Sequence, residues 1–351
     1  MKLIDVLNWI GTKRAFRPFG KILLLIFAHT PFSRIVRMAG RRMVSAFAAA
    51  PAALQTGSTI REALHDPGSF YKAMIYTIDT MKLDTVCLFA DMSLEAEACG
   101  CHVHFEDDKL PSVTSTLVTS IEDIAKLNVP DPYRDGRMPV FLETMRRLAK
   151  NLTLIKIAEI SGPFTLATSL GGSTLYSDVR KNRKKVDALL QYCEKVLVRY
   201  GQALCDAGAD MIVVAEPTGS QLSVVAYEQF SLSFTRHIIQ ALKRPCILHI
   251  CGKAGHIVGK MAQSGAAALS LDDVDIPEVL KIVPPDVVLI GNISPMAFYM
   301  STPEDIASAT RNLQIAARGR KEFLIAPGCD LAPQTPMENI RVFVETVKTS
   351  C

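Results

Sequence analysis

The sequence predicts an α/β barrel of eight parallel strands with helices between them, a (β/α)8 or TIM-barrel fold, preceded by a helical N-terminal extension. Three observations carry this. Short apolar runs recur at 43–48, 85–90, 153–160, 211–216, 246–251, 268–271, 287–293 and 323–326. Stretches of helical patterning separate most of them, at 61–81, 137–149, 183–207, 226–242, 257–264, 277–282 and 303–317, and a last one at 336–347 closes the chain. Strands that alternate with helices imply a parallel sheet, and eight such units suggest a closed barrel. Finally, no internal repeat, low-complexity run or linker divides the chain, so residues 43–351 read as one barrel domain after an extension of residues 1–42.

The extension differs from the rest. Lys2, Lys13, Arg14, Arg17, Lys21, Arg34, Arg37, Arg41 and Arg42 stand against a single acid, Asp5. Trp9, Phe16, Phe19, Leu23, Ile26 and Phe27 lie between them, the pattern of basic amphipathic helices. Such helices either close the bottom of a barrel or offer a docking surface to an acidic partner protein or an anionic membrane face. The apolar stretch 22–28 falls well short of the ~20 residues needed to span a bilayer, and no cleavage site follows it. Nine cysteines without framework spacing point to a reducing compartment, so the expected location is the cytoplasm.

Composition sets the remaining bounds. With 49% hydrophobic and 21% charged residues the chain can bury a sizeable core. A net charge of +4, without an aromatic and basic stripe, argues against nucleic acid as a partner. Punctuation fits the helices: Asp66-Pro67 before one, Gly208 after another, Thr302-Pro303 at the start of a third. The first strand has the weakest pattern, and an insertion at 101–116 carries its own hairpin signal.

In a barrel of this type the chemistry sits where strands end. Those ends carry Asp91 with Glu95, Ser161-Gly162-Pro163, Glu216-Pro217-Thr218, His249 with Cys251, Asp272-Asp273, Asn292 with Ser294, and Cys329. Period two puts His249 and Cys251 of HICG on one face, about 7 Å apart along the strand. A second run, FLIAPGC, delivers Cys329 at a strand end. An imidazole and two thiolates suit zinc, and three ligands leave a position open for chemistry. Taken singly, these residues also read as core, since Cys is among the most buried residue types. Asp272 follows the next strand and is a candidate fourth ligand. Asp91, Glu216 and Asn292 either shape the mouth of the site or cap loops.

Other signals point elsewhere. In Cys99-Gly100-Cys101-His102-Val103-His104 a strand would separate the two cysteines from the two histidines, so hairpin packing accounts for them better than a metal. His256 opens a helix and reads as a cap or loop residue. Gly171-Gly172-Ser173 lacks the GK[ST] that nucleotide binding needs, and the chain has neither GxSxG nor HExxH.

HICG, with the distant APGC and the following LAPQTPMENI, resembles the zinc methyltransferases that move methyl groups between corrinoid proteins and thiols, among them the methylcobamide:coenzyme M methyltransferases. These belong to the uroporphyrinogen decarboxylase superfamily, whose fold is a (β/α)8 barrel. The resemblance runs from about residue 56 to 346 and includes LEAEACGC (94–101), GPFTLATSL (162–170), SLDD (270–273) and GNIS (291–294). Residues 1–42 match poorly. The resemblance implies that His249, Cys251 and Cys329 are zinc ligands. Asp272 stands in the place of an acidic residue, usually Glu, that fills the fourth position until substrate arrives; its shorter side chain is a departure.

The activity so implied is methyl transfer from a methylated corrinoid to a thiol such as coenzyme M, with the zinc holding the thiol as thiolate. Exchanging the Asp272 carboxylate for a substrate thiolate would leave the centre's net charge unchanged. No DxHxxG signature occurs, so the corrinoid (methylcobalamin) would arrive on a partner corrinoid protein. Run in the other direction, such a site loads a corrinoid protein from a methylated substrate. Two rivals stand beside this expectation. Arg37-Met38-Ala39-Gly40-Arg41 resembles the arginine segment with which uroporphyrinogen decarboxylase holds its tetrapyrrole, although that enzyme lacks the His-x-Cys pair. A closed zinc site would instead make the barrel a scaffold.

Overall fold

The computed structural model describes residues 2–12 and 30–349. Strand β1 (Thr85–Cys87) is followed by a small antiparallel hairpin, β2 (Val103–His104) and β3 (Ser112–Val113), which forms the insertion. Then come β4 (Ile155–Ser161), β5 (Met211–Ala215), β6 (Cys246–Ile250), β7 (Ala268–Leu271), β8 (Val288–Ile293) and β9 (Phe323–Pro327). The main sheet is parallel and runs in the order β1-β4-β5-β6-β7-β8-β9. Outside the hairpin each strand pairs with the next in sequence, in keeping with the tendency of consecutive elements to lie side by side.

The expected strand at 43–48 shrinks to a single bridge, Val44 to Ile325 of β9. Ile325 N donates to Met43 O, Ser45 N donates to Ile325 O, and on the other flank Asp84 N donates to Val44 O. This segment therefore lies between β9 and β1 and closes the curled sheet. It stops short for two reasons. The Asp84 carboxylate takes Val44 N at 2.8 Å in place of a ladder carbonyl. The alanine-rich run behind it then turns into a helix, Ala49–Gln55.

Helix boundaries differ from the sequence pattern where local chemistry intervenes. The stretch at 61–81 splits into Ile60–His65 and Pro67–Asp79, because proline disfavours helical backbone at Asp66. The side chain of Asp66 then accepts from Ser69 N at 2.7 Å and caps the second helix, while a Thr59–Glu62 capping box starts the first. The stretch at 226–242 is interrupted by a π turn, Glu228–Leu232, ahead of the helix Ser233–Leu242. The longest helix, Arg183–Ala207, runs as the periodicity predicts, from an Asn182 cap to Gly208 in the left-handed region (φ 111°).

Alternation sorts the strand residues into two layers. Outward side chains such as Val86, Ile160, Val214, Leu248, Leu269 and Leu289 pack under the helices. Inward ones, including Ile157, Met211, Val213, Ile247, Ala268, Val288 and Leu324, fill the barrel. At the end where strands begin, Ile4, Phe32, Val36 and Ala39 from helices Leu3–Thr12 and Phe32–Met38 join that inner cluster. These described parts of the extension close the bottom of the barrel. Lys13, Arg14, Phe16, Arg17, Phe19, Lys21, Leu23, Ile26 and Phe27 lie outside the described residues. Among the described residues no helix is long and apolar enough to cross a membrane.

Arg41 and Asp84 hold this lower end. Their side chains are 1% and 0% exposed, and Arg41 Nη1 donates to Asp84 Oδ2 at 2.7 Å. Asp5 takes a second pair of bonds from Arg41, and Arg37 pairs with Glu322. Both arginines of the decarboxylase-like segment are thus used at the end of the barrel opposite the strand termini that carry His249.

Candidate metal centre

His249 points into the barrel from β6, one residue before the strand ends, and is 4% exposed. The register pairs it with Ser270 of β7, and their side chains meet at 2.9 Å between Nδ1 and Oγ. That contact fixes the ring. With Nδ1–H donating to Oγ, the lone pair of Nε2 is left facing the strand ends, the arrangement common to metal-bound histidines. Nε2 lies 2.9 Å from Cys251 Sγ and 3.5 Å from Cys329 Sγ. Phe47 covers the ring on another side, with centroids 5.7 Å apart.

The two cysteines come from loops 78 residues apart in sequence, yet their sulfurs stand 2.7 Å from one another and both are free. Their contact divides one proton unequally. The hydrogen bond from Cys251 holds Cys329 down to about 4, while the same bond, with burial, pushes Cys251 far up. A bound cation would favour the thiolate form of both sulfurs. All three donor atoms lie within 4.8 Å of each other, the one such group of three His, Cys or acidic side chains among the described residues. One imidazole and two thiolates, converging with a side left open, are a donor set that fits zinc.

Asp272 sits beside the group without joining it. Its Oδ2 accepts from Gly252 N at 2.9 Å. A Cβ on Gly328 would fall 2.2 Å from its Oδ1 and 2.9 Å from its Cα, so only glycine leaves room there. The carboxylate is thus lodged between Cys251-Gly252 and Gly328-Cys329, and it sets the spacing of the two sulfur-bearing loops.

The structure gives the remaining candidates distinct posts. Asp91 lines a cavity of about 190 Å³ next to the sulfurs, held by Arg137 Nη1 at 2.5 Å and by Ser93. Glu216 is fully buried and serves as a loop and helix cap instead of lining the mouth. It accepts from Phe164 N, Thr165 N and the hydroxyls of Thr165, Thr218 and Ser231. Five donors absorb both oxygens because the helix Pro163–Gly171 begins there with orphan N–H groups. Asn292 likewise ties a loop, donating to Asp272 O and Val274 O. The Cys99–His104 cluster does not converge: Cys99 meets Tyr192 Oη, Cys101 is buried, and His104 faces Glu106 at the surface. His256 lies in the short 3-10 turn Gly255–Ile257 and bonds Leu222 O.

Three participants escaped the sequence reading. Ser270 orients His249. Glu159 of β4 and Asp330 both line the cavity, and burial pushes both carboxyls well above their ordinary range. A signal existed for Glu159: it interrupts an apolar run, and period two sets it on the inward face with Ile157 and Ser161. A larger groove of about 560 Å³ at the bottom of the barrel is lined by Arg42, Arg311, Arg318 and Lys321 and carries no soft donor.

A model of the family described as Uroporphyrinogen decarboxylase (URO-D) matches residues 24–350. The chain is 32% identical to the methylcobamide:CoM methyltransferase MtbA of Methanosarcina acetivorans, over 74% of this chain and 77% of that protein. It is 29% identical to the methylcobamide:CoM methyltransferase MtaA of Methanosarcina barkeri, over 83% and 87%. It is also 30% identical to the uroporphyrinogen decarboxylase of Pseudomonas aeruginosa, over 76% and 78%. Among solved structures, a methyltransferase from Methanosarcina mazei superposes with a TM-score of 0.81 at 24% identity, covering 88% of this chain and 94% of that one. A B12-independent methionine synthase from Shewanella sp. gives 0.58 at 15% identity, covering 82% and 88%. These two likenesses bear on the fold, a curled parallel α/β barrel.

Proposed function

The chain belongs to the uroporphyrinogen decarboxylase family, and on that premise we propose that it is a zinc-dependent methyltransferase acting between a methylated corrinoid and a thiol. The observation that carries the proposal is the convergence of His249 Nε2, Cys251 Sγ and Cys329 Sγ beside an open cavity at the strand ends. His249, Cys251 and Cys329 would hold the metal. A zinc ion there supplies the Lewis acidity that keeps a thiol, ordinarily protonated below ~8.5, in its reactive thiolate form.

The chain's own residues do the rest. Ser270 holds the tautomer of His249 that presents Nε2. Asp272 keeps the two cysteine loops at their spacing, and to take a fourth position at rest its carboxylate would have to release Gly252 N. Phe47, Met92 and Leu110 give the cavity an apolar wall, which excludes water from the nucleophile. A thiol held there as thiolate would be the nucleophile toward the methyl group of the corrinoid substrate, and the methyl–cobalt bonding pair would stay with the corrinoid. The corrinoid is carried by a separate protein, and the same donor set would serve the reverse transfer. The decarboxylase alternative needs arginines in the cavity, whereas Arg37 and Arg41 are committed to Glu322, Asp5 and Asp84 at the far end.

The test is metal content followed by turnover. About one zinc per chain is expected, lost in His249→Ala and in Cys329→Ser, together with methyl transfer from methylcobalamin to small thiols. Protein that takes up no zinc on reconstitution would refute the proposal.

A further inference from the structure

The cavity beside the three soft donors has a charge pattern that methyl transfer alone does not require. Glu159 enters it from β4, is 8% exposed, and neither carboxylate oxygen has a hydrogen-bond partner. Asp330 lines the same cavity. The third acid of the wall, Asp91, is already compensated by Arg137. No lysine or arginine is among the described residues that line the space, and both nitrogens of His249 are engaged, one with Ser270 and the other with the sulfurs. Glu159 also stands outside the group of atoms close enough to share a metal.

A buried carboxylate without donors is costly, so chains keep one mainly where a partner arrives to satisfy it. An ammonium group would supply both the charge and the hydrogen bonds. A sulfonate or carboxylate tail would find no lysine or arginine among the lining residues to pair with, and would be set against two acidic side chains in a poorly solvated space. About 190 Å³ accommodates a molecule of a few heavy atoms. We infer that the acceptor thiol carries an ammonium group, with its sulfur directed at His249, Cys251 and Cys329 and its nitrogen paired with Glu159. This specificity separates the chain from relatives whose names carry coenzyme M, a thiol with an anionic tail. It rests on the thiol methyl-transfer reading.

Three two-carbon thiols that differ only in tail charge test it on the zinc-loaded protein: 2-aminoethanethiol, 2-mercaptoethanol and 2-mercaptoethanesulfonate. Binding by calorimetry and KM for methyl transfer from methylcobalamin are the two readouts. The aminothiol should bind at least about tenfold tighter than the hydroxythiol, and the sulfonate weakest. Glu159→Gln, which breaks no existing hydrogen bond, should erase the aminothiol's advantage while zinc stays at one per chain; Asp330→Asn should reduce it in the same direction. Tightest binding of the sulfonate, an unchanged ratio in Glu159→Gln, or loss of zinc from that variant would overturn the inference and leave thiol methylation standing. Absence of binding and turnover with all three thiols would remove the thiol reading itself. Should Glu159→Gln fail to fold, the order of the three thiols on the unaltered protein decides.

Discussion

Replacing Ser270 by alanine removes one hydroxyl that touches neither metal nor substrate, and the structure sets the size of the effect. Ser270 and His249 are 1% and 4% exposed, so water cannot replace the lost acceptor. The Nδ1–H of His249 would be stranded, a penalty of about 1–3 kcal/mol for a buried donor. The ring could relieve it only by turning, which takes Nε2 away from the sulfurs. Partners that orient a ligating histidine typically contribute about 10–100-fold in metal affinity, or about 1.4–2.7 kcal/mol. Competitive titration of zinc against a chromophoric chelator should therefore show Ser270→Ala weaker by that factor, with Phe47 still over the ring and the secondary structure unchanged. Affinities equal within about twofold in two equally folded proteins would mean that the 2.9 Å contact does not govern the tautomer.

Two further outcomes follow from buried charge. Arg41→Ala should destabilise the fold by about 3–5 kcal/mol in urea denaturation, because it leaves Asp84 charged and without its main partner at the closure of the barrel; replacing both residues should cost less than the sum of the two single changes. Burial raises Glu95, which accepts from Ser161 N and Oγ, to about 7. Its contribution is therefore fully present below the ordinary carboxylate range and is lost as pH rises through about 7, an effect of up to about 3 kcal/mol. Denaturation midpoints should fall between about pH 5 and pH 8, and Glu95→Gln should flatten that slope; a steeper slope in the variant would show the sign to be wrong.

The two ends of the barrel divide stability from chemistry, as its architecture encourages. At the bottom, Arg41, Asp84 and the apolar residues of the extension seal the inner cluster. At the top, short loops bring soft donors and acids to a half-open cavity. Arg37 and Arg41 show why a short motif is an uncertain guide: their spacing is that of a substrate-binding segment, but their partners are structural.

Much of this was legible in the chain by itself. Apolar runs that alternate with helical stretches determined the βα order, since hydrophobic period and length are local properties. Period two put His249 with Cys251 on the inward face, and the Pro-Gly before Cys329 marked a second strand end. Tertiary structure decided what depends on distant partners. The first strand became a single bridge because Asp84 takes its amide. Asp272 became a wedge between two glycines, Glu216 a helix cap, and Ser270 the orienting partner of His249. Each of these rests on atoms from strands or loops far apart in sequence, whose distance no local pattern encodes. Glu159 lies between the two cases: its inward direction follows from alternation, but its lack of any partner is a property of the closed barrel.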